Sequence, residues 1–286
     1  MSLTRLHSNG VHETHRSSSP SLHFHRDISL PKPRFVSIRY FDYPILINLA
    51  DAFLSLYFIT FCDLRPITVD LNDGETTVHF WVSGHRRNNR PDLVMLHGYG
   101  GNSKWQFIHQ VSDLSKSFNL FIPDLVFFGK SHSRNTERTV EFQARSVVGG
   151  LKRLGCSEGG LAVYSISYGG FVAYRIAKMW PEMIERLVDR EQWSGVMYET
   201  NRKELVELAK NLLEREEDAE FYAISQKTLI IWGDKDEVFP LEHGRRLHRH
   251  LPNSSIEILK DIGHGVNIEA PTTLNNLITS FVLDVS

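Results

Sequence analysis

Ser167, Asp236 and His264 supply the three side-chain types needed to make a hydroxyl attack a carbonyl: a nucleophile, a base and an acid that orients the base. A serine hydroxyl is a poor nucleophile at neutral pH. It needs an imidazole to take its proton, and the imidazole needs a carboxylate to fix its tautomer. Ser167 lies in Ser165-Ile166-Ser167-Tyr168-Gly169, between the apolar run Leu161-Ala162-Val163-Tyr164 and the helix-like stretch Gly170 to Ala177. A strand feeding a helix through so short a turn demands small residues two positions before and after the serine, the spacing of a nucleophile elbow. The residue two before is Ser165, where glycine is usual.

The partners follow in the order serine, acid, histidine, each in a loop just past an apolar run. Thr228 to Trp232 reads as a strand and leads into Gly233-Asp234-Lys235-Asp236. Asp234 and Asp236 could each supply the acid. Asp236, four residues before Pro240, is the better candidate, and Asp234 and Glu237 read as solvated loop charges. Ser255 to Lys260 alternates like a strand and leads into Gly263-His264-Gly265. Loops at the C-terminal ends of parallel strands are where ligands bind in open α/β sheets.

Upstream, the apolar strand Leu93 to Leu96 runs into His97-Gly98-Tyr99-Gly100-Gly101. A glycine-rich turn there can aim backbone N–H groups at a developing oxyanion, each donor worth about 10²–10³-fold in rate. The donors expected are the amides of Tyr99 and Tyr168, with His97 bracing the loop rather than acting as a base. A phosphate-binding reading of these glycines fails, because no Gly-Lys-Ser/Thr follows.

Three further stretches join these pieces: Trp105-Gln106-Phe107, Pro123-Asp124 with Phe128-Gly129-Lys130-Ser131, and His264-Gly265-Val266-Asn267-Ile268-Glu269-Ala270-Pro271. On these motifs, from about Leu64 to Val285, the chain resembles the α/β-hydrolase fold superfamily. Within it the chain looks like the plant-type serine hydrolases of the epoxide-hydrolase-like or lipase-like branch. The resemblance implies an α/β fold with a mostly parallel sheet and helices on both faces. It also implies hydrolysis of a carboxylic ester or related acyl compound through an acyl-enzyme, with a small acyl substrate and no cofactor or metal. Epoxide hydrolases of this fold use an elbow aspartate, so Ser167 excludes their chemistry. A non-catalytic small-molecule receptor or an inactive truncated isoform is the alternative the same fold allows.

One interval departs from the family. Ser167 to Asp236 spans only 69 residues, where relatives place a sixth strand and then a helical cap. Met183 to Val188 begins like that strand, but Asp189-Arg190-Glu191-Gln192 interrupts the apolar pattern. The sixth strand is therefore not expected to form fully, and 189–226 is expected to hold a remnant cap. Its clearest element is the amphipathic stretch Asn201 to Glu217, with Leu205, Leu208, Leu212 and Leu213 at helical spacing. Without the strand, the acid strand would move or leave unpaired buried backbone, which is costly. A displacement of about 1 Å can cost on the order of 10²-fold in rate.

The elements around these motifs complete the sheet. Ile67 to Leu71 and Thr77 to Val82 flank the hairpin signal Asn72-Asp73-Gly74. Phe118 to Pro123 is a strand, and Thr139 to Leu154 is a helix that Gly155 can cap. The expected organisation is an extension over 1–43, an apolar helix over 44–62 and the hydrolase domain over 63–286. The extension carries six Lys/Arg against two acids in residues 1–40, with no apolar period. It reads as disordered or as a targeting segment, the latter placing the protein in a plastid or other organelle. Pro44 to Cys62 is apolar apart from Asn48 and Asp51. An aspartate inside a span is expensive, so this stretch reads as a helix packed on the domain or lying at a membrane surface, giving a cytoplasmic or peripheral-membrane protein. A net charge of −2 gives no electrostatic case for nucleic acid. Cys62 and Cys156 read as free thiols.

Overall fold

The computed structural model describes residues 44–156, 160–190, 203–208, 224–237 and 239–284. The extension before Pro44, Trp193 to Thr200, and Leu212 and Leu213 lie outside them. The chain opens with helix α1 (Pro44–Thr60) and the hairpin β1 (Leu64–Asp70) and β2 (Thr76–Ser83). There follow β3 (Asp92–Leu96), α2 (Ser103–Phe107), α3 (Val111–Leu114), β4 (Asn119–Pro123) and the two-residue β5 (His132–Ser133). Next come α4 (Val140–Arg153), β6 (Leu161–Ile166), α5 (Tyr168–Met179), β7 (Ile184–Arg190) and a helical piece over 203–208, α6. The C-terminal part is β8 (Lys227–Gly233), α7 (Leu241–His250), β9 (Ser254–Leu259), α8 (Val266–Glu269) and α9 (Pro271–Leu283).

The strands form one mixed sheet in the order β1-β2-β4-β3-β6-β7-β8-β9, with β5 added to β2. From β4 to β9 every pairing is parallel. The central strands are apolar on both faces because helices cover both faces. In β3, Leu93 and Met95 join the core beneath α1, α2, α3 and α9, while Val94 and Leu96 join the core beneath α4 and α5. Thr139 caps α4 by accepting from the Phe142 amide at 3.1 Å, and Gly155 follows the helix with φ of 80°.

The sixth strand forms along its whole length. β7 runs through Asp189 and Arg190, pairs with β6 up to Ile166↔Arg190, and pairs with β8 up to Asp189↔Ile230. The acid strand therefore keeps its normal neighbour, and no gap opens between β6 and β8. The reason lies in Ser165, the residue that replaces the usual elbow glycine. Its Oγ donates to Asp189 Oδ1 at 2.7 Å, so the carboxylate, only 5% exposed, is satisfied inside the sheet. Gly170 of α5 leaves room for the same carboxylate; a Cβ there would sit 2.6 Å from Oδ1.

The shortened interval also leaves a packed remnant. Leu205 and Leu208 of α6 are buried in the core, and the Leu205 carbonyl accepts from the Tyr99 hydroxyl at 2.6 Å. Glu207 pairs with Arg138 at 3.4 Å. No helix among the described residues is long and apolar enough to cross a membrane.

Candidate active site

Four loops meet at the C-terminal ends of β3, β6, β8 and β9. The first holds Ser167, which joins β6 to α5 with φ 52° and ψ −120°, a strained backbone for any residue with a Cβ. What forces the turn is the closeness of α5 to β3. A Cβ on Gly169 would lie 2.4 Å from the Leu96 carbonyl oxygen and 2.8 Å from that of His97. Only glycine lets the helix start there, and the side chain of Ser167 is thereby lifted to the end of the strand.

The second loop follows β3. His97 is fully buried, and its Nε2 accepts from the Leu125 amide at 2.9 Å while its Nδ1 donates to the Gly98 carbonyl at 2.8 Å. Those partners fix a neutral ring as a brace. Gly98 is also clamped by one amide side chain: its N–H donates to Gln106 Oε1 at 2.7 Å, and Gln106 Nε2 donates to its carbonyl at 3.1 Å. This loop presses on the elbow, since a Cβ on Gly98 would stand 3.1 Å from that of Ser167. The Tyr99, Phe128 and Tyr168 rings pack together with centroids 5.6–6.2 Å apart. Burial pushes the Tyr99 phenol up to about 12 and raises that of Tyr168 as well, so both rings are neutral. The Tyr168 amide is the first of α5 and has no intrahelical acceptor.

The acid and histidine are brought together. His264 Nδ1 donates to Asp236 Oδ2 at 2.8 Å, and the Phe239 amide donates to Asp236 Oδ1 at 2.9 Å. Asp236 is buried, whereas Asp234 and Glu237 face solvent. Of the two acids open in the sequence, the structure pairs Asp236 with the histidine. The Phe239 ring lies 5.7 Å from the imidazole and restricts its tilt. Among the described residues Ser167 Oγ makes no hydrogen bond, so its contact with His264 is not closed in this structure. Such contacts are often long in unliganded sites and tighten around substrate.

Two connections hold the loops in register, and neither was anticipated from sequence. Asn267, just past His264, donates to the Gln106 carbonyl at 3.0 Å, and its own carbonyl accepts from Gln110 at 2.8 Å. The histidine loop is thus tied to the residue that clamps Gly98. The second is Gly233, where a Cβ would lie 2.3 Å from the Ile262 carbonyl oxygen and 2.5 Å from that of Gly263. Gly233→Ala must push the histidine loop away from the acid strand. The expected result is a loss of about 10²-fold in kcat for a small ester, measured on folded protein, following the cost of a displacement near 1 Å.

Burial lowers the pKa of His97 and of His79 below the ordinary 6.5. Unfolding lets both rings take up protons, so stability from this source is whole above pH 6.5 and is lost as pH falls below it. Each can contribute a slope of up to about 1.4 kcal/mol per pH unit. Urea midpoints measured between pH 7.5 and 5 should fall accordingly, and a flat profile would contradict the buried neutral state.

No family model matches the chain. It is 24% identical over 275 residues to the uncharacterized hydrolase YugF of Bacillus subtilis, covering 77% of this chain and 97% of that one. It is 24% identical over 233 residues to Lipase 1 of Psychrobacter immobilis, covering 62% and 72%. Among solved structures, a thermophilic esterase from Thermogutta terrifontis superposes with a TM-score of 0.66 at 19% identity, over 78% of this chain and 98% of that one. The fold is that of the α/β-hydrolases. In this chain Ser167, Asp236 and His264 follow β6, β8 and β9, with β7 between the first two strands.

Proposed function

We propose that this α/β-hydrolase-fold chain is a serine hydrolase that cleaves a carboxylic ester or related acyl compound through an acyl-enzyme. The hydrolase, lipase and esterase relatives support an enzyme of this fold. The observation that carries the serine mechanism is the 2.8 Å Asp236–His264 bond, set at the same edge of the sheet as the strained Ser167 elbow. In this reading Ser167 attacks the acyl carbonyl, and His264 takes the hydroxyl proton and returns it to the leaving alcohol. Asp236 holds His264 with its proton on Nδ1, so Nε2 is the lone-pair nitrogen. The amides of Tyr99 and Tyr168 bind the oxyanion. Water then repeats the sequence on the acyl-enzyme.

Placement in the plant-type, epoxide-hydrolase-like or lipase-like branch rests on the motifs quoted above, while the relatives named here are bacterial. A fluorophosphonate probe tests the mechanism, because it phosphonylates only a serine activated by its neighbours. Labelling of the folded protein that disappears in Ser167→Ala supports the proposal. Absence of labelling from folded protein would overturn it and favour a receptor-like role.

A further inference from the structure

We infer that α1 is a docking helix for an anionic phospholipid surface, a role independent of the hydrolytic reading. The helix has two unlike faces. Its inner face carries Leu54 and Phe58, the latter set edge-on against Trp81 with ring centroids 5.3 Å apart. Its outer face presents Leu46, Leu49, Phe53, Leu56 and Ile59, all between 46% and 61% exposed, and Phe61 just beyond is 78% exposed. The spacing of three and four residues places them in one stripe along a helix about 25 Å long. A stripe of large apolar side chains on this scale marks an interaction surface.

Charge distribution selects a lipid as the occupant. The one charged residue between Pro44 and Cys62 is Asp51, and it is turned inward. Lys104 Nζ donates to its carboxylate at 2.5 Å and to Ser55 Oγ at 2.8 Å. The outer stripe is therefore free of charge along its length, while arginines gather at its C-terminal end and the sequence before it is net basic. At the C-terminal end Phe61 lines a cleft of about 100 Å³ together with Arg87, Arg90, His85, Asp63 and Ser115. Asp63 is held by His85 at 2.9 Å, and Arg90 donates to the Ser115 carbonyl at 2.7 Å. Arg87 has no carboxylate partner among the described residues. Before Pro44 the sequence carries six Lys/Arg against three acids, Glu13, Asp27 and Asp42.

An apolar stripe flanked by cations matches a membrane whose phosphates lie on either side of an immersed helix, and supplies the two signals that stable peripheral binding needs. A second copy of the chain fits less well. Parallel pairing through α1 sets arginines against arginines, and antiparallel pairing sets them at the helix end that a net-basic sequence precedes.

The test uses the full chain and large vesicles, either phosphatidylcholine alone or phosphatidylcholine with one quarter phosphatidylglycerol. Sedimentation should show binding at least about tenfold tighter to the anionic vesicles, weakening as salt shortens the Debye length. Phe53→Ser with Leu56→Ser should weaken it at least about tenfold by removing the apolar contribution. Arg87→Glu should reduce the preference for phosphatidylglycerol several-fold. All three substitutions lie on exposed positions and should leave hydrolysis of a water-soluble ester unchanged. Ser167→Ala should bind vesicles as the wild type does, so a failure of catalysis and a failure of docking are separable. Equal binding to both vesicles, or no binding by a folded monomer, would overturn the proposal. So would a dimer by light scattering that Phe53→Ser dissociates.

Discussion

Ser167→Gly is expected to remove activity and stabilise the protein at the same time. Turnover of a small activated ester should fall by at least about 10⁵-fold, the order lost when the nucleophile of a serine enzyme is deleted. The midpoint of thermal unfolding should rise by a few degrees. At φ 52° and ψ −120° a residue with a Cβ carries strain of about 1–3 kcal/mol, and glycine does not. The turn itself is set by Gly169 against the Leu96 carbonyl, so it persists in the variant. Steady-state kinetics and calorimetry on one preparation decide both halves. Retained turnover would remove Ser167 from the mechanism. A lowered midpoint would mean that contacts of the side chain outweigh the strain.

Asp236→Asn should cost about 10⁴-fold in kcat with little change in structure. The carboxylate divides its two oxygens between two donors, the Phe239 amide and His264 Nδ1. Asparagine can keep the first bond through its carbonyl. Its amide group then faces Nδ1 as a donor, and the imidazole answers by carrying its proton on Nε2. A base protonated on the nitrogen that must accept the serine proton cannot act. Asp234→Asn is the control: Asp234 is exposed, and its replacement should leave kcat where it was. If the two variants behave alike, the acid has been misassigned.

The parts of the site legible in the sequence are those dictated by local geometry. A sharp strand-to-helix turn needs small neighbours, so Gly169 and Ser165 announced Ser167. The apolar runs before Asp236 and His264 announced the strands that deliver them. Asp189 was misread for the opposite reason. A carboxylate in an apolar run looks like a break, and the hydroxyl that accommodates it belongs to Ser165, 24 residues earlier. Only when β6 and β7 lie side by side does the pair exist. The same holds for Asn267 and the Gln106 carbonyl, 161 residues apart. The strand β5 was missed because two residues carry no readable alternation; its signature is the pairing of His132 and Ser133 with β2. The apolar stretch Pro44 to Cys62 was legible as a helix, but which way Asp51 turns depends on Lys104, which is 53 residues away.

That pairing redraws the edge of the folding unit. The sequence places the start of the hydrolase domain near residue 63, with the helix before it packed on the domain or lying at a membrane surface. Yet Lys104 is 4% exposed, and two of its acceptors belong to Asp51 and Ser55 of α1. Losing the helix would strip the Lys104 ammonium of the Asp51 and Ser55 acceptors and open the surface they cover to water. It would also strip Phe58 from Trp81. Lys104 sits in α2, two residues before the amide side chain that grips Gly98, so the damage would begin beside the candidate site. A shortened chain that begins upstream of Pro44 and keeps the helix is therefore expected to retain the stability that one beginning at residue 63 loses.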